Sequence, residues 1–177
     1  MKILKIILLI VVILIALFLL VALFLPNAYT VDRSIVINKP VDEVYSYIAD
    51  MNNRAEWDPW IEREPDAMNT FTVGDSTGVG SVWEWEGKEL GKGSLKMIAA
   101  EWNKSIESEL QFTEPQVMKS KIYWTFEPVQ DGTNVTWSFA GDLSYPVERY
   151  FGLMMDKMMG PDFEKGLKNI KAALEKE

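Results

Sequence analysis

The sequence contains no cysteine and no histidine. Without cysteine there is no disulfide, no thiol nucleophile and no site for a thioether-linked lipid. Without histidine the Ser-His-Asp and Cys-His constellations are excluded, together with zinc sites built on imidazole or thiolate. Catalysis would fall to carboxylates, Tyr, Lys, Ser, Thr or a bound ion, and the sequence calls for no cofactor and no metal. Positive charge is also scarce, with 18 basic against 26 acidic residues. Two of the 18, Lys2 and Lys5, lie in an N-terminal segment that holds no acidic residue. The remainder is therefore more acidic than the chain's net charge of −8. Such a surface repels phosphate backbones and anionic headgroups. Seven tryptophans could stack on bases, but no basic stripe accompanies them. The composition argues against nucleic acid as a partner.

What the chain does have is one long apolar run. Residues 6–25 carry no charge. Twenty helical residues reach roughly 30 Å, the thickness of a hydrocarbon core. A secretory signal has a shorter apolar core followed by a small-x-small cleavage site. Here Pro26 stands where a small residue is wanted. An uncleaved single-pass anchor is expected over residues 1–26, with one globular domain over 27–177. Lys2 and Lys5 precede the run, while Asp32 and Arg33 beyond it cancel. The positive-inside rule then places the N-terminus in the cytoplasm and the domain on the other side. The linker 26–29 spans about 13 Å when extended, so the domain must sit against the membrane.

The rest reads as strands and helices in sequence. Residues 30–37 form a β-branched strand. Pro40 then opens a helix over 41–50, with Val44, Tyr45 and Ile48 on one stripe. Residues 51–62 read as a short, Trp-rich helix and turn, and 66–80 as turn-rich. Alternating segments follow at 81–87, 93–102, 105–112, 117–129 and 134–144. Asn103-Lys104 and Asp131-Gly132 mark hairpin turns between them. After Pro146 the period becomes helical. Tyr150, Phe151, Met154, Met155, Met158 and Met159 share a broad apolar face. Gly160-Pro161 is expected to interrupt this helix, which resumes with Phe163, Leu167, Ile170 and Leu174. An antiparallel sheet with helices on one face is an α+β architecture.

Alternation also assigns the faces. In residues 81–87 two Trp alternate with two Glu. Burying the two indoles contributes several kcal/mol at ~25 cal/mol per Å², whereas burying two unpaired carboxylates costs at least as much. Trp83 and Trp85 therefore point inward and Glu84 and Glu86 outward. The same logic turns Ile106, Ser108, Leu110, Met118, Ser120, Ile122, Trp124 and Trp137 inward. Glu84 and Glu86 lie about 7 Å apart, a spacing that also occurs in glycosidases, but any charged sheet face produces it. Residues 87–94 fail as a phosphate loop, because the glycine spacing is one short and Gly93 follows Lys92 where Ser or Thr is needed.

Four stretches carry a family resemblance: RSIVINKPVDEVYSYIADMNNRAEWDPW, GVGSVWEWEGKELGKGSLKM, TFEPVQDGTNVTWSFAG and MDKMMGPDFEKGLKNIKAAL. They resemble the START-like helix-grip superfamily (SRPBCC), and within it the bacterial polyketide cyclase/dehydrase-like group, over residues 30–175. The resemblance implies a helix-grip fold: a curved antiparallel sheet wrapped around a long C-terminal helix, with two short helices at the far end. It also implies an apolar cavity between sheet and helix. Members bind lipids, sterols or hormones, act as ligand sensors, or cyclise and dehydrate polyketide-like substrates, so one activity does not follow.

The lining expected for such a cavity is Trp83, Trp85, Ile106, Ser108, Leu110, Met118, Ser120, Ile122, Trp124 and Trp137 from the sheet, and Tyr150, Met154, Met155 and Met158 from the helix. An apolar pocket with few hydrogen-bonding points suits a hydrophobic small molecule or lipid. It suits proton transfer poorly. An enzyme of cyclase or dehydratase type would need an ionisable group aimed inward, for which Tyr45, Tyr123, Tyr150 and Asp156 are the candidates. A non-catalytic interaction domain with a filled core is the remaining alternative.

Overall fold

A computed structural model describes residues 2–75, 77–115 and 117–176. The apolar run is a single helix, α1 (Lys2–Phe24), long and apolar enough to cross a membrane. Almost every side chain in it is exposed. After three intervening residues the first strand begins, β1 (Ala28–Ile37), two residues earlier than the β-branched pattern alone suggested.

Helix α2 (Val41–Ala49) buries Val44, Tyr45 and Ile48, the expected stripe. A single 3₁₀ turn at Met51–Asn53 leads into two short helices, α3 (Arg54–Trp57) and α4 (Pro59–Arg63). Asp58 separates them. Its carboxylate accepts the Trp60 N–H at 2.9 Å and caps α4, with Pro59 in the first turn. The segment expected to be turn-rich contains a strand, β2 (Met68–Thr72). Only five residues long and at the sheet edge, β2 alternates too briefly for a period to register.

The remaining strands are β3 (Val82–Gly87), β4 (Gly91–Glu101), β5 (Ser105–Glu114), β6 (Met118–Val129) and β7 (Gly132–Asp142). With β1 and β2 they form one antiparallel sheet in the order β1-β7-β6-β5-β4-β3-β2. Register shifts at Lys92/Gly93 and Met97/Ala99 break the β4–β5 ladder, and such bulges add twist and curvature. Both expected hairpins form. Asn103 takes φ 59° and Gly132 φ 137°, backbone states that Asn and Gly tolerate best.

Helix α5 (Val147–Leu174) closes the fold and runs mainly over β1. Contrary to expectation, it is continuous through Gly160-Pro161. A clamp from β1 brackets the proline. Arg33 binds Asp156 on one side of Pro161 (Nη1 to Oδ1, 2.8 Å) and Glu164 on the other (Nε to Oε1, 2.8 Å). Its guanidinium occupies the space beside Gly160, where a Cβ would collide with Nη2. The clamp spans the turn whose backbone bond Pro161 cannot make.

Two ends of the molecule follow from the register. Ala28 pairs with Asp142, so the start of β1, the end of β7 and the start of α5 lie beside α1. Met118, Phe112 and Gly93 share this proximal end. At the distal end, Lys171 Nζ donates to the Val36 carbonyl at 2.7 Å and anchors the last turn of α5.

Candidate functional site

The sheet's inner face is aromatic and closely filled at its centre. Trp137 stacks on Phe163 of α5 at 4.1 Å and on Trp124 at 4.5 Å. Trp57 meets Trp124 and Trp137 edge-on at 5.8 and 5.6 Å. Trp57 and Trp60 therefore pin α3 and α4 under α5. Trp83 and Trp85 are buried and Glu84 and Glu86 exposed. The outward charges pair across strands, Glu86 with Lys92 at 2.9 Å and Glu107 with Lys121 at 2.6 Å. That is a solvated sheet face.

Beneath this aromatic cluster lies an ion pair that strand and helix patterns did not reveal. Arg54 and Asp58 are both buried and paired with each other across one turn. The guanidinium is sandwiched between Trp57 and Trp83, 4.8 and 4.5 Å from their ring centroids. Burial pushes the Arg54 pKa down and the Asp58 carboxylate opposes that shift. Among the described residues, Arg54 Nε, Trp57 Nε1 and Trp137 Nε1 are buried donors with no acceptor. The sequence signal was available: Arg and Asp four apart in a stretch too short and too Trp-rich to be a surface helix.

Of the residues expected to line a cavity, Trp83, Trp85, Ile106, Ser108, Ser120, Ile122, Trp124 and Trp137 are buried on the inner face. Leu110 and Met155 are half-buried. Four lie elsewhere. Met118 begins β6 at the open end of the sheet and is 42 % exposed. Met154 and Met158 point to the side of α5 away from the sheet and are more than half exposed. Tyr150 turns toward α1, stacks on Phe18 at 4.5 Å and donates to the Phe18 carbonyl at 2.7 Å. The methionines come in two adjacent pairs that spread around the helix, so their period could not say which side meets the sheet. The indole N–H groups of Trp83 and Trp85 also have internal acceptors, Asn69 Oδ1 at 2.8 Å and the Leu90 carbonyl at 3.4 Å.

Open space lies at both ends. The proximal cleft, about 130 Å³, is framed by Pro26, Tyr29, Leu143, Arg149, Leu153, Met155 and Asp156. Tyr29 connects it to the interior: its hydroxyl shares a hydrogen bond with Ser120 Oγ at 3.0 Å. Burial raises the Tyr29 pKa, the Ser120 bond opposing. Sequence alternation had left Tyr29 in the linker and so missed it. The distal cleft, about 270 Å³, lies between the end of α2, β2 and the 73–81 loop, with Trp102 alongside. Its carboxylates serve local turns. Asp50 Oδ1 accepts the Asn52 backbone and side-chain donors, and Asp75 accepts from Thr77 and Val79. Those donors, the Thr77 hydroxyl foremost, hold the Asp75 pKa down.

The ionisable candidates are occupied too. Tyr45 donates to the Thr77 carbonyl at 3.3 Å. Tyr123 lies beside Lys121 on the outer face. Asp156 is held by Arg33, which keeps its carboxyl below the usual range.

Among curated proteins none matches the sequence at a significant level. Solved structures share the fold. Protein CV1439 from Chromobacterium violaceum superposes with a TM-score of 0.61 at 18 % identity, over 86 % of this chain and 99 % of its own. The Aha1 protein of Colwellia psychrerythraea, solved as a dimer, gives 0.55 at 18 % identity, over 82 % and 96 %. The di-domain aromatase/cyclase StfQ of the steffimycin biosynthetic pathway gives 0.59 at 12 % identity, over 82 % of this chain and 50 % of its own. At such identities these likenesses speak for the fold alone. The family model described as polyketide cyclase/dehydrase and lipid transport matches residues 28–175, from the first residue of β1 to just past the end of α5. The chain belongs to the polyketide cyclase/dehydrase and lipid transport family, preceded by an apolar N-terminal helix.

Proposed function

We propose that this protein is a membrane-anchored binding module that takes up a hydrophobic small molecule or lipid at the membrane-proximal end of its grip. One observation carries the reading. The buried residues of α5 are Gly160, Phe163, Gly166, Leu167 and Ile170, none of them before Gly160. At the proximal end the inner-face residues Leu110 and Phe112 are half-buried, and Met118 at the open end of the sheet is exposed. Met155 and Met159, partly buried against the core, are soft, adaptable side chains beside this end. Tyr29 and Ser120 offer one hydrogen-bonding point among apolar surroundings, the composition expected for an apolar ligand with a single polar group.

The length and apolarity of α1 support an anchor, and Lys2 and Lys5 support a cytoplasmic N-terminus with the domain on the far side. Binding is favoured over cyclase or dehydratase chemistry because Tyr45, Tyr123, Tyr150 and Asp156 are engaged elsewhere.

The test is native mass spectrometry of the full chain released from detergent, beside a Met155→Trp variant that fills the proximal cleft. A discrete added mass that extracts into organic solvent, present in the parent and absent from the variant, is the expected result. A bare mass for the parent after incubation with a total lipid extract would overturn the reading.

A further inference from the structure

We infer that the first half of α5 is itself a membrane-contacting surface, its outer stripe lying at the boundary between headgroups and acyl chains. The inference rests on α1 spanning a bilayer. Val147, Phe151, Met154 and Met158 are 54, 56, 52 and 56 % exposed. At 100° per residue they fall on one side of the helix, opposite the face that grips the sheet. An apolar stripe this exposed on a domain this acidic calls for a partner.

What covers the stripe follows from how α5 is tied to α1. The Tyr145 hydroxyl donates to the Leu19 carbonyl at 3.0 Å, Arg149 Nη1 to that of Ala22 at 3.0 Å, and the Tyr150 hydroxyl to that of Phe18 at 2.7 Å. Arg149 lies over the Tyr145 ring, and Ala22 is wholly buried in this contact. These carbonyls belong to the uncharged run. Leu19 is six residues before its last apolar residue, Leu25, or about 9 Å along the helix. Interfacial helices sit about 5–10 Å into the headgroup–acyl boundary, so the start of α5 is held at their depth. Tyrosines that bridge an apolar body and a polar tip belong at this level. Because the domain is acidic, apolar burial and not headgroup charge holds the surface, and the contact needs no anionic lipid. The proximal cleft, which shares Arg149 and Leu153 with this half-helix, then opens toward lipid.

The absence of cysteine makes the test clean. Single-cysteine variants of the full chain, Phe151→Cys, Met154→Cys and Val129→Cys at the distal hairpin, are labelled with a polarity-sensitive fluorophore in phosphatidylcholine nanodiscs. Leu14→Cys in α1 serves as the reference. Lipids spin-labelled near the top of the acyl chain should quench labels at 151 and 154 several-fold more than at 129, and anionic lipid should not raise the effect. Quenching at 14 but not at 151 or 154 would overturn the inference and leave the anchor intact. No quenching at 14 either would remove the anchor along with it. Labels at 151 and 154 that are shielded from water, unquenched by lipid and sensitive to the number of chains per disc would assign the stripe to a second copy and overturn the inference. Each side chain replaced on α5 is exposed, so unmodified thermal unfolding is expected as the fold control.

Discussion

The two halves of α5 both carry apolar residues and use them in opposite ways. The second half drives Phe163, Leu167 and Ile170 into the sheet, and each is at most 1 % exposed. The first half turns Phe151, Met154 and Met158 outward and leaves Met155 and Met159 partly buried. Pro161 sits at the join and Arg33 holds the two halves together. One half supplies stability and the other supplies surface. An apolar stripe on a helix is thus no guarantee of a protein partner, and neighbouring elements decide what it meets.

The sharpest way to break the contrast is the same substitution twelve residues apart. Phe163→Ala removes the ring stacked on Trp137 and should cost about 3–5 kcal/mol. Phe151→Ala should change stability by less than about 0.5 kcal/mol. Urea unfolding of the full chain in micelles measures both, and equal costs would dissolve the distinction. Asp58→Asn, beneath the gripping half, should cost on the order of 3–5 kcal/mol because it leaves the buried Arg54 charge unpaired.

Gly166→Ala comes next. A Cβ there would lie 2.7 Å from Trp137 Cζ3, inside the stack, and overpacking of this kind costs about 1–3 kcal/mol. It should lower the denaturation midpoint although alanine is the better helix former. Arg33→Ala should cost only about 1 kcal/mol, since its partners are exposed. Its signature is local: faster amide exchange around residues 157–162 with the rest of α5 protected. Uniform exchange along α5 would show that the clamp does not secure the join.

The smallest effect is in pH. Arg33 holds the Asp156 pKa down, and the Leu90 N–H, followed by those of Lys88 and Glu89, does the same for Glu64. A carboxylate with a lowered folded pKa contributes stability that is fully present above its ordinary value, near 3.8 for Asp and 4.5 for Glu. That stability is lost as pH falls through the folded pKa. Thermal midpoints should thus be flat from neutrality down to about pH 5 and decline below it. Asp156→Asn should flatten the decline, and an unchanged slope would place the acid sensitivity elsewhere.

Much of the fold was legible because its patterns are strong. Strands β3 to β7 alternate over six to twelve residues, and the face assignment of Trp83, Trp85 and Glu84 followed from burial cost alone. Strand β2 was not legible, being five residues of edge with no sustained period. The contact that brackets Pro161 in α5 was hidden because Arg33 lies more than 120 residues away in sequence. The site was the least legible part. Tyr29 looked like linker, Arg54 and Asp58 looked like turn residues, and Tyr150, Met154 and Met158 looked like lining.

By itself the sequence determined what kinds of surface each segment owns: an uncharged span, a two-faced sheet, a doubly apolar helix, and an acidic exterior free of thiol and imidazole. Those are properties of neighbouring residues and their periods. Which surface meets which was decided only by the tertiary structure. Burial is a relation between distant segments, and a helix apolar on both sides offers its period no preferred face until the sheet takes one.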